Sequence, residues 1–375
     1  MKQRYKIGGV LASWWVPLVT QADWQVNMPI GPTDMSRSIH NIHMLTFWVC
    51  VVIGIGVFSV MIYSIIKHRK SVGAIALNFH ENTMIELIWT VVPIIILISL
   101  AIPAAKTLIK IEDSSKSDMT IKVTGYQWKW EYEYPEEGIR FFSNLDEKSR
   151  QASAKGSGID PASVDHYLRE VDNAVVVPVG KKVRFLFTAN DVNHSWWVPE
   201  LAIKKDAIPG FVNDMWTLIE KPGTYRGQCA ELCGTGHGFM PIKVVAMEAA
   251  DYGKWLSTEK QKVAAAAAST GKEWSKDELM VQGEKIYKSA CAACHQVTGL
   301  GIPGVFPALK GSKIATSDLK AHLNIVLHGK SGTAMQAFAT QLNDADIAAV
   351  ITYERNAFDN NTGDIVQPAT VKAAR

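Results

Sequence analysis

Cys229-Ala-Glu231-Leu-Cys233-Gly-Thr-Gly-His237-Gly-Phe-Met240 places two thiols, an imidazole and a thioether in one short loop, and Asn193-His194-Ser195-Trp196 lies 35 residues before its first cysteine. These are soft and borderline ligands, the set copper takes and calcium or magnesium refuses. One cysteine, two histidines and one methionine would suffice for a mononuclear site. A second cysteine allows two copper ions to share two bridging sulfurs, each ion adding one histidine and one weaker ligand. Such a pair would spread an electron over both metals and change geometry little on reduction. A zinc site or a Cys229–Cys233 disulfide fits less well, since Met240 is odd for zinc and the glycine-rich loop is odd for a bare disulfide. Residues 121–134 (IKVTGYQWKWEYEY) and 182–188 (KVRFLFT) alternate at period two, as do shorter runs at 217–219 and 243–246. Pro178-Val179-Gly180, Pro209-Gly210 and Pro222-Gly223 punctuate them. The pattern predicts a Greek-key β-sandwich or barrel over 111–248. Trp128 and Trp130 read as neighbours on one face of a single strand, and the polar residues 143–172 read as a long surface loop.

Upstream the chemistry changes. Residues 44–66 run for 23 residues without a charge between His43 and the cluster Lys67, His68, Arg69, Lys70, and residues 87–105 for 19 between Glu86 and Lys106. About 20 apolar residues cross a hydrocarbon core of roughly 30 Å, so both read as membrane spans, with Pro93 and Pro103 tolerated as kinks. Together they predict a transmembrane hairpin within 23–110. Its basic flanks are balanced: Lys67, Arg69 and Lys70 in the loop against Arg37, Lys106 and Lys110 outside. Lys2, Arg4 and Lys6 ahead of the apolar residues 7–19, with Thr20-Gln21-Ala22 after them, have the layout of a signal peptide over 1–22, the alternative being a retained arm. Glu86, at the loop end of the second span, reads as an interfacial anchor or a site of proton uptake.

Downstream, 249–272 carries Val263 followed by five alanines and then Ser-Thr-Gly, which predicts a partly helical tether. Within 273–375 the pattern is helical, an all-α domain containing Cys291-Ala-Ala-Cys294-His295. CxxCH is a haem c attachment signal, the thiols adding to the haem vinyl groups and the histidine reaching the iron. Met335, the only methionine after His295, lies in a loop and is the expected sixth ligand; His322 and His328 fall in a helical stretch read as surface.

The net charge of +3 argues against a nucleic-acid-binding role. It averages unlike parts, with 9 basic and 4 acidic groups in 1–110, 16 and 20 in 111–248, 4 and 2 in 249–272, and 10 and 10 in 273–375. The five cysteines fall as two close pairs plus Cys50 in an apolar run, which suits metal and haem attachment rather than a disulfide framework.

GQCAELCGTGHGFMPI, DVNHSWWVPE, KKDAIPG and GYQWKWEYEY stand in the order and spacing of subunit II of haem-copper cytochrome c oxidases, and residues 24–248 resemble that family. The resemblance implies a cupredoxin-like barrel holding a binuclear CuA centre with His194, Cys229, Cys233, His237 and Met240 as side-chain ligands. Glu231 would give its backbone carbonyl to copper and its carboxylate to a magnesium at the subunit I boundary. Trp128 matches the family's electron-input tryptophan and Glu86 the glutamate near a proton channel of subunit I. Lys129 stands where an aromatic is frequent. Residues 276–358 resemble small class I cytochromes c, with Pro307 matching the proline whose carbonyl accepts from the haem histidine.

The function so implied is electron input to a respiratory oxidase: haem c to CuA to subunit I, where oxygen is reduced to water with proton translocation. A tethered donor would stand at about millimolar effective concentration. The implied partners are subunits I and III, membrane lipid, and an external donor, a c-type cytochrome or quinol–cytochrome c reductase. The implied location is the bacterial inner membrane, with both termini and the redox domains on the periplasmic side, where haem c is attached. Alternatives are a copper-binding assembly or storage protein and the CuA domain of a nitrous oxide reductase; a quinol oxidase subunit II lacks the copper ligands.

Overall fold

The structure is a computed structural model that describes residues 27–75, 80–154, 156–269 and 271–375. The signal peptide expected over 1–22 lies outside these residues. Helices α1 (Asp34–Lys67) and α2 (Thr83–Glu112) form the hairpin, and each extends past its uncharged run at the end nearest the following domain. Thr33 caps α1 by accepting from the Ser36 N–H, and Asn82 caps α2 by accepting from the Ile85 N–H. None of the apolar length of either helix is buried inside the protein, and Val52, Ile55, Leu97 and Ile98 face outward. Hydrocarbon suits such side chains and water does not, while each helix satisfies its own backbone. The two helices are joined where they leave the apolar zone by an ion pair between Lys110 and Asp34. Arg37 reaches Glu220 at 2.6 Å and the Trp216 Nε1–H donates to the Lys110 carbonyl at 3.2 Å, so the hairpin is seated on the next domain.

That domain is cupredoxin-like, two five-stranded sheets packed face to face. The strands are β1 (Met119–Tyr126), β2 (Lys129–Tyr134), β3 (Ile139–Ser143), β4 (Val175–Pro178), β5 (Lys182–Ala189), β6 (His194–Val198), β7 (Ile203–Ala207), β8 (Asn213–Leu218), β9 (Gly223–Cys229) and β10 (Pro241–Met247). Their orders are β3-β2-β1-β5-β8 and β4-β10-β9-β6-β7, with β1/β5 and β4/β10 parallel and the other named pairs antiparallel. Period-two alternation delivers the core: Val183, Phe185 and Phe187 of β5 point in, as do Ile121 and Val123 of β1 and Ile242 and Val244 of β10. Trp196 stacks on Phe185, ring centres 5.2 Å apart.

The run 121–134 is a hairpin, not one strand. Tyr126 pairs with Lys129 across a turn formed by Gln127 and Trp128, so Trp130 is a fully buried strand residue and Trp128 a half-buried turn residue. The stretch 143–172 is a loop that contains helix α3 (Glu147–Ser153) and is closed by a bridge between Leu145 and Val171. The tether is more ordered than its composition suggests: α4 (Ala249–Ser269) is one helix whose Trp255 packs on Tyr134 at 5.3 Å and Phe141 at 6.5 Å.

The C-terminal domain is helical: α5 (Lys276–Ile286), a π turn over Tyr287–Cys291, α6 (Ala292–His295), α7 (Lys313–Thr316), α8 (Leu319–His328), α9 (Asp344–Asn356) and α10 (Pro368–Ala374). Helices α5 and α9 cross at Gly283, where a Cβ would stand 2.2 Å from the Ala349 carbonyl oxygen, so only glycine allows this approach. Leu279, Ile347, Ala348 and Ile351 fill the crossing. Arg355 is buried and ties three segments, donating to the Ala315 and Thr316 carbonyls and pairing with Asp364.

Candidate functional site

Three segments bring the loop cysteines and histidines together. β9 ends at Cys229, β6 begins at His194, and the loop between β9 and β10 carries Cys233, His237 and Met240. The Cys229 and Cys233 sulfurs are 3.9 Å apart, far beyond a disulfide bond. Cys229 Sγ lies 4.0 Å from His194 Nδ1 and 3.3 Å from the Glu231 carbonyl oxygen; Cys233 Sγ lies 3.5 Å from His237 Nδ1 and 3.6 Å from Met240 Sδ. Each sulfur thus has one imidazole and one weaker donor beside it. Sulfurs at 3.9 Å can both stand about 2.3 Å from one late first-row ion, subtending roughly 115° there, and can do so for two ions at once. The donor set fits a copper pair.

The thiols prepare that site electrostatically. The hydrogen bond between them lowers Cys229 below the ordinary thiol range and, with burial, pushes Cys233 up, so the two thiols titrate as a pair. Burial alone would push His194 down, but its bonds to Asp191 and Cys229 hold it above the ordinary imidazole value. The Asp191 carboxylate, 2.9 Å from His194 Nε2, turns Nδ1 toward the sulfurs. Gly125 faces the same ring: a Cβ there would lie 2.7 Å from it.

Trp128 closes one side. Its Nε1–H donates to the Cys233 carbonyl at 3.0 Å, beside a second donation from Gln127 at 2.8 Å, and its ring lies against Gly236, where a Cβ would come within 2.2 Å. The other edge of Trp128 meets Phe306 of the helical domain, ring centres 6.4 Å apart.

Phe306 and Trp128 also line a cavity of about 370 Å³ whose wall includes Cys291, Cys294, His295 and Met335. His295 Nδ1 is 2.9 Å from the Pro307 carbonyl oxygen, which commits that nitrogen and leaves Nε2 for a ligand. Two thiols, one oriented imidazole, one thioether and an otherwise largely apolar wall fit a covalently held haem. One expectation changes here. His322, read as a surface residue, is buried, its Nε2 2.8 Å from the buried Glu354 carboxylate. His328 is on the surface as read. Sequence reasoning also missed Asp191, three residues before His194. It accepts from the Gln127 N–H, from His194 and from Gln336 of the helical domain.

Glu231 is exposed on the copper loop. Glu86 is exposed in the first turn of α2, near the far end of the hairpin, roughly 40 Å along the helix from its junction with the sandwich. These two are not brought together.

Fold and site define a membrane-anchored cupredoxin-like electron-transfer protein with a c-type cytochrome domain fused behind it. Residues 119–247 match the family described as cytochrome c oxidase subunit II, periplasmic domain, residues 21–107 its transmembrane domain, and residues 278–353 the cbb3-type cytochrome c oxidase subunit III family. A cytochrome c oxidase subunit 2 of Cyanidium caldarium is 35% identical over 240 residues, 63% of this chain and 91% of that protein. A protein of Rickettsia bellii named "Probable cytochrome c oxidase subunit 2" is 38% identical over 262 residues, 69% of this chain and 93% of that one. A crystal structure of the periplasmic domain of subunit II of cytochrome oxidase from Bradyrhizobium japonicum is similar at 38% identity with a TM-score of 0.34, covering 40% of this chain and 98% of that one. The chain belongs to the cytochrome c oxidase subunit 2 family. It is a subunit of an oxidoreductase complex, with a transmembrane and a periplasmic domain, and its family implies CuA copper and haem c.

Proposed function

We propose that this chain is the electron-input subunit of a respiratory haem-copper oxidase in a bacterial inner membrane, its redox domains on the periplasmic side. Electrons delivered to the cytochrome domain by a c-type cytochrome or a quinol–cytochrome c reductase leave through the copper domain to subunit I. There oxygen is reduced to water with proton translocation. When bound, haem c and the copper pair supply one-electron chemistry at their two sites. Cys291 and Cys294 would hold the haem covalently, with His295 and Met335 on its iron; His322, whose Nε2 is committed to Glu354, is not needed. His194, Cys229, Cys233, His237, Met240 and the Glu231 carbonyl would hold the copper. The exposed Glu231 carboxylate would offer a magnesium ligand at the subunit I boundary, and Glu86 would face a proton channel of subunit I. Subunit III and lipid complete the surroundings of the hairpin. The working domains are 23–110, 111–248, 249–272 and 273–375.

The observation that carries this reading is the protein between the two pockets. Trp128 touches the copper loop on one side and Phe306 on the other. Gln336, next to Met335, donates to Asp191 at 3.1 Å, and Asp191 holds His194. Hydrogen bonds and ring contacts therefore connect the sites through protein atoms. The test is rapid mixing of the fully reduced purified complex with oxygen. Wild-type haem c is oxidised; in Cys229→Ser it stays reduced while remaining attached. Oxidation of haem c at the wild-type rate in that variant would remove the copper domain from the route.

A further inference from the structure

Lys129 opens β2, and its side chain crosses from the copper domain to the cytochrome domain. The residue is 6% exposed. Its ammonium lies 4.4 Å from the ring centre of Phe142 and 5.9 Å from that of Tyr126, both on the copper side, and 5.1 Å from that of Phe338 on the cytochrome side. It also forms part of the wall of the 370 Å³ cavity that holds Cys291, Cys294, His295 and Met335.

Among the described residues this ammonium has no hydrogen-bond acceptor and no ion-pair partner. The carboxylates nearest in charge are committed elsewhere. Glu131 pairs with Arg140 and accepts from Tyr126, Asp191 accepts from Gln127, His194 and Gln336, and Glu354, the one carboxylate in the cavity wall, is bound by His322. Burial outweighs the attraction of Cys291, Glu131, Asp191 and Cys294 and pushes Lys129 down to about 8. Attraction to ring faces offsets only part of the cost of removing an ammonium from water. A buried cation aimed into a cavity calls for an anion inside it, and the propionate carboxylates of a haem are the anions such a pocket would receive.

We propose that Lys129 of the copper domain is the counter-ion of a haem c propionate in the cytochrome domain, so that the haem site is completed across the domain boundary. This rests on the haem c reading of Cys291, Cys294 and His295. The consequence is mutual: the bound haem gives Lys129 its partner and so draws the domains together, and the cation favours the reduced haem over the oxidised one by partly cancelling the propionate charge.

The test is redox titration of the haem c in the purified complex, alongside its covalent haem content. Lys129→Met keeps the length and apolar stem but removes the charge, and should shift the oxidised-to-reduced ratio at a fixed potential about tenfold toward oxidised, a midpoint about 59 mV lower for one electron. Lys129→Arg keeps the charge and should hold the wild-type midpoint. Lys129→Gln serves as a second neutral variant should Lys129→Met not accumulate. A merely space-filling lysine gives the reverse pattern, tolerated by Met and disturbed by Arg. That pattern, or an unchanged midpoint in a fully haem-loaded neutral variant, overturns the proposal. A wild-type protein without covalent haem overturns the underlying haem reading instead.

Discussion

At the scale of single residues the copper loop depends on a glycine as much as on its ligands. Gly236 is held flat against the Trp128 ring, and a methyl there would overlap the indole at 2.2 Å from its nearest atom. Either the ring or the loop must move, and overpacking of this kind costs about 1–3 kcal/mol. Gly236→Ala should therefore lower the thermal stability of the copper domain and alter the tryptophan fluorescence; a variant with wild-type melting and emission would mean that Trp128 is not packed on the loop. The five residues proposed to hold copper were readable because their chemistry is rare and their spacing tight. Asp191 was not, because carboxylates are common and its role comes only from where β6 starts. His322 was misread for a related reason: a polar residue in an amphipathic helix reads as solvent-facing unless its partner is known, and Glu354 lies 32 residues away on another helix.

Among the secondary elements, local pattern predicted type better than limits. β5 shows why: its inward and outward positions alternate without a break, as its sequence does. The hairpin β1–β2 shows the opposite case. Its Gln127-Trp128 turn lacks the Asn-Gly or Asp-Gly signal that marks two-residue turns, so the alternation on both sides read as continuous. The α4 helix was expected to be only partly formed because an alanine run does not reveal that Trp255 upstream will dock on Tyr134 and Phe141.

Helix α5 carries a capping box in which Ser275 and Glu278 satisfy each other's backbone N–H groups. Glu278 is held down to about 2, first by Lys272 and then by the Ser275 backbone and hydroxyl. A carboxylate lowered on folding adds stability that is present above its ordinary value of 4.5 and lost as pH falls through about 2. The melting advantage of wild type over Glu278→Gln should be steady near neutrality and shrink across that window. An advantage independent of pH would show that the charge of Glu278 does not contribute.

For the whole molecule, the small net charge of +3 conceals a basic membrane section, an acidic copper domain, a basic helix and a neutral cytochrome domain. The hairpin was legible from length and apolarity alone, and its outward-facing side chains are what lipid or a partner subunit requires. The domain interface was not legible. Gln127 and Trp128 of a turn, Lys129 at the start of β2 and Arg150 of α3 meet Phe306, Gln336, Phe338 and the Lys288 carbonyl there, contacts that no local pattern announces.

We propose that the loop joining β9 to β10, with His194, would hold two copper ions that share one unpaired electron. Electron paramagnetic resonance of the copper-loaded full-length chain tests it most directly. Hyperfine splitting from two equivalent copper nuclei is expected, lost in Cys229→Ser. Splitting from a single copper nucleus, or a purified chain that binds no copper, would contradict it.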